Sequence, residues 1–184
     1  QTPFCLFACS NEPHSPWNKG DASRYHPDEL ILPPHFVDTP ATRQALSRYL
    51  AEVTYFDGQV GAILDLLDKH QLADNTLVIV TTEQGSGFPF AKWTCYDTGL
   101  QTALVARWPG NIQPATVSDA LIEYVDILPT FLEAAGHAVP AALEGRSLLP
   151  VFKGESLEHK QHVFGIHTTR GINNGSDHFG IRSV

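Results

Sequence analysis

Between Thr39 and Lys69 the apolar residues Leu46, Tyr49, Leu50, Val53, Phe56, Val60, Ile63, Leu64 and Leu67 recur at steps of three and four. That period is the signature of an amphipathic helix, and its length makes the helix the element around which the rest must pack. Thr39 followed by Pro40 supplies an N-cap and a first helical residue that needs no donor. Asp57 and Gly58 interrupt the stripe without breaking its period, so the helix is predicted to run to about Lys69.

Three runs around it read as strands. Phe4 to Cys9 is nearly all apolar, the pattern of a strand buried on both faces. Thr76 to Thr82, after a turn at Asp74-Asn75, is the strongest β-forming stretch, and Thr102 to Trp108 ends at Pro109-Gly110. Ser118 to Ala135 has helical spacing with Pro129 near its middle, which predicts two short helices or a kinked one. Gly145 to Pro150 reads as an extended loop. Val163 to His167 and Phe179 to Val184 read as strands of a second small sheet. The order predicts a layered α/β core with a mostly parallel sheet.

Composition narrows the function classes. With 20 Asp+Glu against 12 Lys+Arg the net charge is -8, which argues against non-specific nucleic-acid binding. No apolar run approaches the roughly 20 residues of a membrane span. Cys5, Cys9 and Cys95 lack C-x-x-C spacing and read as small apolar core residues. The nine histidines include no H-x-H or H-E-x-x-H pair, and His159 and His162 read as solvent-facing. The chain begins in the approach to a strand, not in a signal peptide, and stops as another strand starts. It is therefore expected to be a piece of a longer protein. Nothing in it specifies an oligomeric state.

Ligands of parallel α/β sheets bind beyond the carboxyl ends of the strands, which selects the loops after Cys9 and after Thr82. The first, Ser10 to Pro40, holds Pro13, Pro16, Pro27, Pro33, Pro34 and Pro40 with His14, His26, His35 and Trp17, and loops this long are usually functional or disordered. His14, between Pro13 and Pro16, suits a general acid or an anion contact; an exposed or structural histidine is the alternative. The second loop opens with Glu83-Gln84, whose oxygens could reach a hard cation such as calcium, or could form a solvated turn. Lys92 beside Trp93 could meet an anion or be a surface lysine. Gly85-Ser86-Gly87 lacks the spacing of a phosphate loop, and no G-x-S-x-G elbow occurs.

Together these pieces resemble the sulfatase family. The resemblance runs through Pro13-His14-Ser15-Pro16-Trp17, Phe56-Asp57-Gly58-Gln59-Val60-Gly61 and Ala73 to Thr81. It continues through Gly85, Lys92-Trp93-Thr94, Ala106 to Gly110, Ser118-Asp119, Val125 to Thr130 and Gly145 to Leu148, in the family's order over nearly the whole chain. Glu83 to Trp93 looks most like the branch that includes the heparan N-sulfatases (sulfamidases).

The resemblance implies an alkaline-phosphatase-like α/β core over residues 1–150, followed at 151–184 by the start of a small C-terminal antiparallel sheet. It implies hydrolysis of a sulfuric ester or N-sulfate, with a sulfated sugar or other sulfate ester or sulfamate as substrate. A formylglycine, made from Cys or Ser in C/S-x-P-x-R, would be the nucleophile, and Ca2+ would polarise the sulfate. His14 would contact the sulfate and protonate the leaving atom, Lys92 would bind the sulfate, Glu83 and Gln84 would ligate calcium, and His167 would touch substrate. A periplasmic, secreted or lysosome-like location is also implied. Glu83 stands where Asp is commoner, and this sequence contains neither C/S-x-P-x-R nor the paired aspartates that supply the other calcium ligands. The chain alone is thus expected to be inactive. A phosphonate or phosphodiester hydrolase of the same superfamily, or a non-catalytic sulfated-glycan binding protein, are the alternatives.

Overall fold

The computed structural model describes residues 3–169 and 178–183, which fall into two compact units, Gln1–Leu67 and Asp68–Val184.

The first unit is the proline-rich loop and all but the last two residues of a long helix, α1 (Pro40–Lys69), with the predicted bounds. Thr39 caps it: its Oγ1 accepts the Thr42 amide at 3.1 Å. Full burial is confined to the helix's first half, at Leu46, Ser47, Ala51 and Glu52, while Phe56, Val60, Ile63, Leu64 and Leu67 are half-buried. The loop has only two 3-10 turns of its own, Ala22–Arg24 and Pro27–Glu29, so the helix must supply many partners for its backbone. Glu52 accepts the Asn18 and Lys19 amides at 2.5 and 2.8 Å. The Ser47 hydroxyl donates to the Ala22 carbonyl at 3.2 Å. Arg43 donates from Nη1 to the carbonyls of Pro27 (2.9 Å) and Leu30 (3.0 Å) while its Nε and Nη2 grip the two oxygens of Asp38. At Gly20 (φ +69°) a Cβ would stand 2.2 Å from the Ala51 carbonyl oxygen, so loop and helix touch backbone to backbone.

Phe4 to Cys9 is not a strand. Phe4, Leu6 and Phe7 are 55, 71 and 74% exposed, and Cys5 and Cys9 are exposed and not in a core. Both faces of the run are apolar, but no strand among the described residues lies alongside to complete a ladder.

In the second unit a 3-10 turn (Ala73–Asn75) leads into β1 (Val78–Thr81). A long loop containing the one-turn helix α2 (Asp97–Leu100) returns as β2 (Leu104–Arg107). The two strands pair antiparallel, from Val78 opposite Arg107 to Thr81 opposite Leu104. The expected parallel arrangement is absent among the described residues, because the connection holds no helix long enough to carry the chain back to the start of β1. A 3-10 turn at Tyr124–Asp126 runs directly into α3 (Ile127–Ala134). Pro129 lies in the first turn of α3, where an amide has no intrahelical acceptor to lose, so it makes no kink. After α4 (Leu149–Phe152), β3 (Phe164–Thr169) and β4 (His178–Ser183) form the expected small antiparallel sheet, with Ile166 opposite Ile181.

A buried carboxylate ties this unit together. Asp126, with no exposed surface, accepts the amides of Arg146 and Glu123, each at 2.9 Å, and pairs with Lys160 at 2.9 Å. Burial would push its pKa up, but the two amides and Lys160 outweigh that and hold it low. Lys160 also meets Glu123 at 2.6 Å, and Glu123 accepts the Phe164 amide at 3.0 Å, at the first residue of β3. His159, read from sequence as solvent-facing, is 6% exposed, with Nε2 3.2 Å from Asp126. Burial, the largest influence on it, lowers its pKa despite the neighbouring carboxylate.

Both shifts have one sign. A depressed Asp126 gives stability that is lost as pH falls through its folded value, and a depressed His159 resists the proton it would gain below its ordinary value. Asp126→Ala is expected to cost about 3 kcal/mol, by leaving two amides and Lys160 without their acceptor. Urea unfolding at neutral pH checks this, and the difference from wild type should shrink in acid.

Candidate functional site

In the first unit His14 is exposed on a tight turn closed by its own amide, which donates to the Asn11 carbonyl at 3.0 Å. Its Nδ1 lies 2.7 Å from the Ser15 carbonyl oxygen. A carbonyl can only accept, so Nδ1 carries the hydrogen and Nε2 faces any ligand. Trp17 closes the loop from behind. Its indole N–H donates to the Pro13 carbonyl at 3.3 Å, and its ring meets Tyr49 of α1 edge-on at 5.5 Å. Proline spacing alone indicated that His14 would be held; the atoms that hold it were not legible.

In the second unit the end of β1 is pinned by Tyr124, whose hydroxyl donates to the Thr82 carbonyl and lies 2.8 Å from Thr81 Oγ1. Glu83 and Gln84 follow at once, with the Gln84 amide nitrogen 3.4 Å from Glu83 Oε2. Their heads stand side by side, and turning the amide over would present its oxygen beside the carboxylate. The pair fits a hard cation by donor chemistry, as part of a larger set. Among the described residues no group of three or more His, Cys, Asp or Glu converges to complete one.

The loop beyond is held under strain. A Cβ on Gly85 would lie 1.9 Å from the Thr98 carbonyl oxygen, and one on Gly99 would lie 2.5 Å from those of Ala91 and Thr94. Phe90 and Trp93 are non-glycine residues in the left-handed region, at φ 64° and 67°. Side-chain hydroxyls compensate. Thr98 donates to the Phe90 carbonyl at 2.5 Å and Thr94 to that of Ala91 at 2.7 Å. Between the two strained residues stands Lys92, half-buried, its amide donating to the Ser86 carbonyl at 2.9 Å. Its ammonium lies 5.6 Å from the centre of the Trp93 ring. Among the described residues Lys92 takes part in no ion pair. An aromatic face holds such a cation without neutralising it, so its charge remains for an anion.

The loop thus brings Glu83, Gln84 and Lys92 onto one segment, while His14 belongs to the other unit. His167 lies on β3 opposite Gly180, and its side chain lies outside the described residues.

A family model described as sulfatase matches residues 1–137. The chain belongs to the sulfatase family. It is 34% identical over 189 residues to an ulvan-active sulfatase of Formosa agariphila, covering 99% of this chain and 36% of that protein. It is also similar to a structure solved with its substrate, D-glucosamine-2-N,6-O-disulfate (28% identity, TM-score 0.65, 79% of this chain and 32% of the other). A phosphonate monoester hydrolase from Silicibacter pomeroyi matches at 28% identity and TM-score 0.66, over 84% of this chain and 32% of the other. This sulfatase-family chain therefore spans about a third of the length of these relatives, and its core is of the alkaline-phosphatase-like kind.

Sequence reasoning missed Tyr124 and Thr98, which fix the two ends of the Glu83–Lys92 loop. A tyrosine ahead of a helix gives no pattern to find. Gly85→Ala should displace this loop and cost about 2 kcal/mol or more, since the added carbon meets backbone rather than a side chain that can move. Denaturant unfolding measures the cost, and a matching change at Gly58, where a Cβ would meet nothing, should be harmless.

Proposed function

We propose that this chain is the Lys92- and His14-bearing part of an enzyme that hydrolyses sulfuric esters, with a sulfated sugar as substrate. The observation that carries the reading is Lys92: a half-buried ammonium without a counter-ion among the described residues, in a strained loop, eight residues beyond a pair of cation-seeking oxygens. Family membership and the sugar substrates named for the relatives support it.

Sulfuryl transfer leaves negative charge on the departing oxygen or nitrogen, so catalysis needs positive charge and a proton delivered there. Lys92 binds the sulfate and offsets its charge in a chain of net charge -8. His14, with Nδ1–H committed to Ser15, can donate from Nε2 only as the imidazolium; in that form it offers its second proton to the sulfate and then to the leaving atom, and is left neutral. Glu83 and Gln84 would be two of the ligands that hold a calcium ion, which would supply Lewis acidity toward the sulfate. The sequence holds no C/S-x-P-x-R motif, since Cys5, Cys9 and Cys95 lack the proline and arginine. No step is therefore assigned to a formylglycine.

The phosphonate hydrolase among the structural neighbours favours a second reading, in which the same cation and lysine hold a phosphoryl group. Comparing a sulfated monosaccharide with a phosphonate monoester, using the intact protein that contains this chain, separates the two. A higher kcat/KM on the sulfated sugar supports the sulfatase reading, and a preference for the phosphonate overturns it. Binding of the sugar without turnover would instead mark a glycan-binding protein.

Lys92→Ala is expected to lower kcat/KM by about 10²–10³-fold with little change in Tm, because the ammonium's work is electrostatic. His14→Ala should cost about 10²–10⁴-fold, and less on a substrate whose leaving group needs no proton. Steady-state kinetics with sugar and nitrophenyl sulfates checks both.

A further inference from the structure

Glu52 is fully buried on α1, and only half of its carboxylate is accounted for. Oε1 accepts the amides of Asn18 and Lys19, on the limb that leaves the His14 turn. Oε2 is buried too, and no donor among the described residues reaches it. An acceptor left in that state is costly.

The other limb of the turn carries Glu12, two residues before His14. Its backbone is fastened toward α1: the Glu12 amide donates to Ser10 Oγ at 3.1 Å, and that hydroxyl donates to Gln59 at 2.7 Å. Gln59 lies two helical turns beyond Glu52, on the same face. The Glu12 carboxyl is within hydrogen-bonding reach of Glu52. Their hydrogen bond is the first of the influences that raise the Glu12 pKa, followed by loss of water and by the charge of Glu52, while Lys19 and His14 pull it down. A carboxyl that keeps its proton is the donor that Oε2 lacks.

We propose that Glu12 donates its carboxyl proton to the unpartnered oxygen of Glu52, and that this hydrogen bond latches both limbs of the His14 turn to α1. Glu12 O–H donates to Glu52 Oε2 while Glu52 Oε1 holds the Asn18 and Lys19 amides, so a single buried side chain grips the turn from either end. Loss of the proton sets two carboxylates against each other, one of them out of reach of water, and the Glu12 limb lets go. The groups facing the pair are Lys19 and His14 from the loop, and neither replaces the missing hydrogen on Oε2. Because the folded state holds the Glu12 proton more tightly than the unfolded chain, the latch contributes fully in acid and is lost as pH rises through the raised value. Its bearing on catalysis rests on the reading of His14 as a substrate contact; the latch itself does not.

The test is thermal unfolding of the intact protein across the acid-to-neutral range, for wild type, Glu12→Gln and Glu12→Ala, in calcium and in chelator. A glutamine keeps a donor toward Oε2 at every pH. The Tm of Glu12→Gln relative to wild type should therefore be near zero in acid and rise by roughly 2–4 °C as wild-type Glu12 ionises. Glu12→Ala should fall below wild type in acid. A difference that does not change with pH overturns the proposal. So does a Glu12→Gln deficit that appears only in calcium, which would mean that a cation bridges the pair. Neither readout uses turnover: an inactive protein can still show the latch, and an active sulfatase can lack it.

Discussion

The carboxylate of Glu52, sealed inside the first unit and holding the amides of Asn18 and Lys19, is the contact without which the proline-rich segment has no reason to adopt one shape. A loop of about thirty residues with two short turns forms few hydrogen bonds of its own, and ordering it is opposed by a backbone entropy cost of roughly 1–2 kcal/mol per residue. The helix offsets that cost by lending partners. Glu52 accepts, Arg43 and Ser47 donate, and Gly20 lets the two backbones touch. Glu52 also shows how a charge is tolerated away from water. Among the described residues no salt bridge meets it; peptide dipoles face it, fixed in place by the chain they order.

The second unit solves the same problem with a different mixture. Asp126 takes two amides as Glu52 does, but adds a lysine, which in turn reaches Glu123 and the first residue of β3. A single buried carboxylate thus joins the turn before α3, the Arg146 segment and the approach to the small sheet. The Glu83–Lys92 loop is held otherwise, through threonine hydroxyls, tight glycine contacts and Tyr124 at the end of β1. Its strained residues flank Lys92, which is where a site would store deformation if it needed a side chain held in an unusual direction.

Much of this was legible from the residues. The three-four spacing gave α1 its bounds, and β-branched runs gave β1 and β2 to within two residues. Proline flanks marked the His14 turn as held. What was not legible depended on neighbours distant in sequence. The apolar run from Phe4 to Cys9 has the composition of a buried strand, yet a strand exists only if another lies beside it. Strand direction followed from the path of the 82–103 connection, which composition does not describe. Glu52 left a trace that could have been read: it lies three residues after Tyr49 and four before Phe56, so a carboxylate sits at helical spacing within the apolar face. Asp126, between Val125 and Ile127, left a similar one. His159 left none, because a histidine in a polar stretch looks the same buried or exposed.

The hydrogen bond between His14 Nδ1 and the Ser15 carbonyl has a consequence for what an imidazole can do in such a turn. With one nitrogen tied to the backbone, the ring has a single hydrogen to offer and no second nitrogen through which to be resupplied. Holding an anion and protonating the atom that departs from it are then successive uses of one hydrogen. After giving it up, the ring presents a lone pair where it had presented a donor, and its grip on a negatively charged product turns from attraction to repulsion. A residue anchored in this way would couple the end of the chemistry to the release of what it makes.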